Sequence, residues 1–300
     1  MSLKKKGWLL LCLSNLFFGF LPVTVKWSDQ LHFSPVQVTF FRFAFATLGI
    51  LLLAALGWQK LRIVNVQALF WRGFFGGTTV LFYFLAIHWT TVAKGTLLNY
   101  TYSIWANVFS VLFLKQKAPK GLPFLLALAV LGVWLVLGAH FDQLNQGDLA
   151  GFISGALAGA GVLSVKEARR TDNALSVFGS FTFFGLLIAG FLVVGGNRWV
   201  DLDPSLVQWT LVDGKGLAIL SLMGALAMAA QLLYTQGLGH ASLAMGTLLA
   251  QLVPVLAAFF GWILLGEPLT PHFVIGTCFV LTACILLGIQ ERRPTVKALP

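Results

Sequence analysis

The chain has 300 residues, of which 58% are apolar and only 10% charged. A water-soluble domain carries about a quarter charged residues, so this composition excludes a soluble globule and defines an integral membrane protein with many spans. The net charge of +10 is scattered through short loops and forms no basic face, which excludes nucleic acid as a partner and reads as a topology signal.

Ten segments offer about the 20 apolar residues that a membrane helix needs. In chain order they are 7–27, 36–56, 68–88, 92–114, 121–139, 148–166, 175–195, 215–236, 242–265 and 271–290. The start, Lys4–Lys5–Lys6 before an apolar run, imitates a signal peptide. No small-x-small cleavage pattern follows and the run is long enough to span, so it is expected as an uncleaved first helix. Turn residues mark the breaks: Ser34–Pro35, Pro119, Gly147–Asp148, Pro268 and Pro271. The one long break, 196–214, is polar, with Leu206, Val207, Trp209 and Leu211 suited to the membrane interface. Cys12, Cys278 and Cys284 lie in apolar runs without metal or disulfide spacing and read as packing residues.

Loop cations set the orientation. With the N-terminus inside, the inner segments hold Lys4, Lys5, Lys6, Lys60, Arg62, Lys115, Lys117, Lys120, Lys166, Arg169, Arg170, Arg292, Arg293 and Lys297, against Lys26, Arg198 and Lys215 outside. Both termini are then cytoplasmic, and the number of spans is even.

The segment Ala93–Lys94–Gly95–Thr96–Leu97–Leu98 returns 151 positions later as Ala244–Met245–Gly246–Thr247–Leu248–Leu249. The register holds around it: Tyr83 falls on Tyr234, Ala106 on Ala257, Phe109 on Phe260 and Leu114 on Leu265. A unit of five spans used twice must enter the membrane in opposite senses. The loops agree, since the basic Lys115–Lys120 join corresponds to Gly266–Thr270, which has no basic residue. The expected fold is therefore all-α: ten transmembrane helices as two inverted-topology five-helix repeats, 1–140 and 141–300, around a central cavity. Inverted repeats are the architecture of alternating-access carriers.

At this point the chain resembles the drug/metabolite transporter superfamily, in its ten-span form built of two EamA-like repeats. The matching stretches are Asn15–Gly19, Phe41–Arg42–Phe43, Gln231–Tyr234, Gly246 through Pro254, and Gly266–Glu267–Pro268. The first half departs from the pattern, with Lys115–Gln116–Lys117 where the second has Gly–Glu–Pro. The resemblance implies a cavity between the halves and movement of small organic metabolites, often outward.

Polar residues within spans need protein or water beside them. Arg42 in span 2 reads as a cavity cation for a substrate carboxylate or phosphate, or else as structural glue. Lys94 is either a cavity group or a snorkelling cation. Asn99, Tyr102 and Trp105 follow one face of span 4, and Gln231, Tyr234 and Gln251 form the polar set of the second half. Tyr83 and Asn15 complete the expected lining, which suits an amphipathic organic solute. His88 lies near a span end and reads as an interfacial hydrogen-bonding group. Pro22 and Pro254 are candidate hinges, and Gly155, between Gly151 and Gly159, belongs to a small-residue ridge that seals a gate or packs helices.

No Asp or Glu falls in the middle of any span, which favours facilitated transport or exchange over proton antiport. The expected function is a secondary transporter of a small organic metabolite, an amino acid or related solute, moved outward across the cytoplasmic membrane. The alternatives are a multidrug or cationic-compound exporter and a membrane-embedded lipid-modifying enzyme. The five His are scattered and no nucleophile–base constellation is present, so no enzyme activity, metal or cofactor is expected. The expected partners are a small-molecule substrate and the lipid bilayer, with the chain as monomer or homodimer.

Overall fold

The computed structural model describes residues 3–57, 61–113, 115, 121–136, 144–196, 203–238 and 249–291. These residues are helical throughout, without a strand. The first half holds α1 (Leu3–Gln30), α2 (Pro35–Ala55), α3 (Val66–Trp89), α4 (Val92–Tyr100), α5 (Tyr102–Leu112) and α6 (Leu122–Val136). The second holds α7 (Gln146–Ala168), α8 (Ala174–Gly195), the short α9 (Pro204–Val207), α10 (Gly214–Leu238), α11 (Leu252–Leu265) and α12 (Pro271–Glu291). Six of them, α1, α2, α3, α7, α8 and α10, are long and apolar enough to cross a membrane, and α6, α11 and α12 are shorter apolar helices. Large apolar side chains such as Leu48, Leu52, Phe124, Leu187 and Phe191 are more than half exposed. That outer surface suits lipid rather than water, and the chain is a multi-pass membrane protein.

Helix ends need partners for their free N–H and C=O groups. Ser34 Oγ accepts from Gln37 N with Pro35 in the first turn, and Asn65 Oδ1 accepts from Ala68 N. Thr91 Oγ1 and Asn173 Oδ1 cap α4 and α8 in the same way. Asn145 and Asp148 form a reciprocal capping box at α7. Gly266 ends α11 at φ 67°, a left-handed conformation that glycine adopts without strain.

The expected span 92–114 is not one helix. It breaks at Thr101 into α4 and α5. Thr101 donates to Leu98 O through both its N–H (3.3 Å) and its Oγ1 (2.7 Å), so that carbonyl is taken and the α-helical ladder stops. The second half breaks at the matching place, Gln251, just before α11. Pro254 follows three residues on and has no N–H to give the carbonyl of Ala250. Pro22 makes no such break, and α1 runs through it. Residues 242–248 of the expected ninth span lie outside the described residues.

The main helix contacts come in pairs. α3 lies along α7 as α1 lies along α10; α3 packs on α8 as α10 packs on α2; and α1 meets α11 as α7 meets α4 and α5. α2 meets α8, α4 meets α11, and α6 meets α12. The ridge of Gly151, Gly155 and Gly159 on α7 is an internal seat for the broken helix. A Cβ at Gly155 would stand 2.6 Å from Thr101 Oγ1 and 2.7 Å from Leu98 O, and one at Gly159 would stand 2.7 Å from Trp105 Cβ. The small residues are what let α4 and α5 come this close.

Candidate functional site

A cavity of about 430 Å³ lies among α1, α3, α4, α5, α7, α8 and α10. Its walls are largely apolar, with polar and aromatic groups set among them: Asn15 and Phe18 from α1, Arg72 and Thr79 from α3, Asn99 and Tyr100 from α4, Tyr102 from α5, Phe181 from α8, and Gln231 and Tyr234 from α10. It reaches the α7–α8 turn, where Arg169, Arg170 and Ala174 line it. Three arginines and no carboxylate are among the lining residues. They bring positive charge to the cavity, partly offset at the turn, where Arg170 pairs with Glu167.

Arg72 is the deepest of the three cations by chain position, six residues into α3. Its guanidinium carbon lies 4.4 Å from the centroid of the Phe181 ring, a cation–π contact. Gly76, one turn on, leaves room for it, since a Cβ there would overlap Arg72 Nη1. The other two arginines are engaged at the turn. Arg170 pairs with Glu167 at 2.9 Å, and Arg169 Nη1 donates to Asp172 O at 3.1 Å.

The rim at this end is tied by Asp172. Its carboxylate accepts from Val64 N (2.7 Å), Asn65 N (3.1 Å) and Thr171 Oγ1 (2.6 Å), which holds the α2–α3 loop against the α7–α8 turn. Burial pushes the carboxyl pKa up, but these hydrogen bonds and the charge of Arg62 outweigh it and hold the group below the usual carboxylate range. A lowered folded-state pKa contributes stability above the unfolded value and loses it as pH falls through the folded value. Asp172→Ala is therefore expected to speed hydrogen exchange at Val64 and Asn65 about tenfold at neutral pH, from one lost charge-assisted hydrogen bond each. The wild type should approach the variant only at strongly acid pH, and equal protection at pH 7 would show that the carboxylate does not hold the loop.

The opposite end is closed by polar contacts. Glu267, 9% exposed, reaches from the α11–α12 loop to the N-terminus of α4, with Oε1 2.8 Å from Val92 N and Oε2 3.3 Å from Ala93 N. A carboxylate there satisfies orphan N–H groups and meets the positive end of the helix dipole. Lys26 Nζ donates to the carbonyls of Ile87, His88 and Thr90 at the end of α3, and Asp29 sits 2.6 Å from His88 Nδ1. Lys94 Nζ lies 2.6 Å from Asp148 Oδ1, joining α4 to α7. Gln37 exchanges two hydrogen bonds with the backbone of Thr210.

Of the residues that the sequence singles out, the structure brings Asn15, Asn99, Tyr102, Gln231 and Tyr234 to this cavity. Arg42 is 7% exposed and does not line it; its guanidinium is enclosed by the rings of Phe43, Phe84 and Phe181 at 5.4–5.9 Å. Tyr83 is buried with its hydroxyl 2.8 Å from Thr96 Oγ1. Lys94 is in the closed end, Trp105 packs on Phe109 and Gly159, and Gln251 sits at the break beside the lining residue Ala250. Gly155 holds the broken helix, Pro254 follows the break at Gln251, and Pro22 lies inside an unbroken α1. Arg72, Tyr100, Arg169 and Arg170 join the site without having been singled out for it.

A helical membrane bundle with a largely apolar cavity that carries a few polar and cationic groups, reaching one end and latched at the other, is the build of a transport protein. The chain belongs to the EamA-like transporter family, whose profile matches residues 5–138 and again residues 145–289. It is similar to the pseudopaline exporter CntI of Pseudomonas aeruginosa, 24% identical over 295 residues that cover 97% of this chain and 99% of that one. It is also similar to the threonine/homoserine exporter RhtA of Salmonella typhimurium, 30% identical over 266 residues, 87% of this chain and 84% of that one. A solved crystal structure shares the fold, with a TM-score of 0.60 at 17% identity over 97% of this chain and 99% of that chain.

Proposed function

We propose that this protein exports a small organic metabolite, an amino acid or a related carboxylate, across the cytoplasmic membrane by alternating access. The observation that carries the reading is the asymmetry of the cavity. It reaches the α7–α8 turn, while Glu267, Lys26 and Lys94 lock the other end. The positive-inside rule puts the α7–α8 turn, with Arg169 and Arg170, on the cytoplasmic side together with both termini. The molecule is then held open to the cytoplasm, the state that loads an exporter. The family, and the relatives named as exporters of threonine, homoserine and pseudopaline, support the class.

The paired helix contacts and the 151-residue repeat support two inverted units, about 1–140 and 141–300, with ten spans in all. Rocking of one unit on the other exchanges the open and closed ends. The matching breaks at Thr101 and Gln251 are the places where each unit bends with least loss of helical bonds. A multidrug exporter of cations fits less well, because the lining holds three arginines and no acid. The test is counterflow in liposomes loaded with unlabelled threonine or homoserine. Faster uptake of the labelled solute than in protein-free liposomes supports the reading. Acceleration of organic cations alone moves the cargo to the exporter of cationic compounds.

A further inference from the structure

Two polar groups in the cavity are buried without a protein partner. Asn15 is 1% exposed, and neither its Nδ2 nor its Oδ1 has a hydrogen-bond partner among the described residues. Arg72 Nε is also buried without one, while its guanidinium carbon lies 4.4 Å from the centre of the Phe181 ring. Buried amides and guanidinium N–H groups are ordinarily satisfied, and two unpartnered ones on residues that line the same cavity point to a ligand there. The two side chains ask for complementary things. A guanidinium edge presents parallel N–H donors that match a carboxylate. A carboxamide presents one donor and one acceptor, which suits a hydroxyl or an amino group.

We propose that Arg72 and Asn15 are the two recognition points of the cavity, Arg72 for the solute's carboxylate and Asn15 for a hydroxyl or amino group beside it. This rests on the transporter reading above and names its substrate class as small hydroxy and amino acids. Phe181 serves Arg72 as a platform: stacking fixes the plane of the guanidinium and leaves its edge for the solute. The same ring lies 5.9 Å from Arg42, on which no solute contact depends because Arg42 is outside the lining. Arg169 and Arg170, engaged with Asp172 O and Glu167 at the turn, add positive potential along the entry without offering a second fork.

The test uses purified full-length protein in detergent for binding and in liposomes for counterflow. The probes are L-lactate and L-threonine, their amides, and propionate, which keeps the carboxylate and lacks the neighbouring group. Wild type should bind lactate and threonine saturably and the amides about tenfold or more weakly. Arg72→Gln should abolish binding of all three acids, and Arg72→Lys should retain a weakened part of it, since charge remains and the fork does not. Asn15→Ala should weaken lactate and threonine but leave propionate unchanged. Lys215→Gln, which removes an exposed cation at the start of α10 outside the lining, should bind as wild type does, as a control that positive charge elsewhere can be lost without losing the site. Monodisperse elution of Arg72→Lys and Asn15→Ala keeps the test independent of folding of Arg72→Gln.

Amides that bind as tightly as acids, acids that do not bind at all, or unchanged binding in both Arg72 variants overturns the proposal. Undiminished counterflow of the acids in Arg72→Gln overturns it as well and leaves the transporter reading intact. Acids that bind as expected without any counterflow leave the two-point site standing and remove transport.

Discussion

Glu267→Ala is expected to lower stability by about 2–4 kcal/mol, because it takes a buried charged acceptor from two helix N–H groups and puts nothing in its place. The hydrogen bonds removed are those from Val92 N and Ala93 N, which join the α11–α12 loop to the start of α4. No neighbouring side chain stands in, since Thr91 already caps the third N–H of the turn at Lys94. Glu267→Gln keeps one acceptor oxygen and should cost about half as much. The readout is the midpoint of thermal unfolding in detergent, followed by fluorescence-detected elution. Midpoints that rise in the order Ala, Gln, wild type are expected; identical midpoints for all three would mean that the loop does not hold α4.

The second large effect is at the glycine ridge. Gly155→Val brings two methyl groups against Leu98 O and Thr101 Oγ1, the pair of atoms that form the break between α4 and α5. A backbone carbonyl yields little, so either the helices part or the break re-forms elsewhere. Overpacking of this kind costs about 1–3 kcal/mol and occasionally more, and here the loss also falls on the buried Thr101 hydrogen bond. Yield of folded protein in membranes should drop sharply. Gly190→Ala is the control, because a Cβ there finds only Phe40 at 3.9 Å and should be tolerated. Similar yields for the two variants would show that α4 and α5 do not sit on this ridge.

How far the sequence alone reaches differs from residue to residue. Long apolar runs give their helices away because a backbone in lipid must satisfy itself within the helix. The expected limits of the first three spans accordingly fall within a few residues of α1, α2 and α3. Asn15, Asn99, Gln231 and Tyr234 were legible as lining candidates for a related reason: a polar group in mid-span has to face something polar. The break at Thr101 was not legible. It depends on one hydroxyl taking the Leu98 carbonyl and on the closeness that Gly155 permits, neither of which composition or periodicity registers.

The two arginines show where the reading stops. Arg42, seven residues into α2, reads from the sequence as the site cation. Burial is not exposure to the cavity: Arg42 is absent from the lining and lies 5.4–5.9 Å from three aromatic rings, one of them the lining residue Phe181. Arg72 lies six residues into α3, one fewer than Arg42 into α2, so chain position does not separate the two. What turns it into the cavity is the packing of α3 against α8, with Phe181 under its head group and Gly76 beside it. Lys94 illustrates the same limit, since its partner Asp148 is 54 positions away in sequence and only the fold brings them to 2.6 Å.

The central claim is that one cavity is reached from both faces in turn. The most direct measurement is labelling of a cysteine placed at Ala158, a half-buried lining residue on α7, in a chain whose Cys12, Cys278 and Cys284 are replaced by alanine. A membrane-impermeant maleimide is applied to right-side-out and to inside-out vesicles, with and without a carried solute. Fast labelling from the side of the α7–α8 turn is predicted, together with slow labelling from the other side that rises when the solute is present. Labelling from one side only, with transport intact, would contradict alternating access through this cavity.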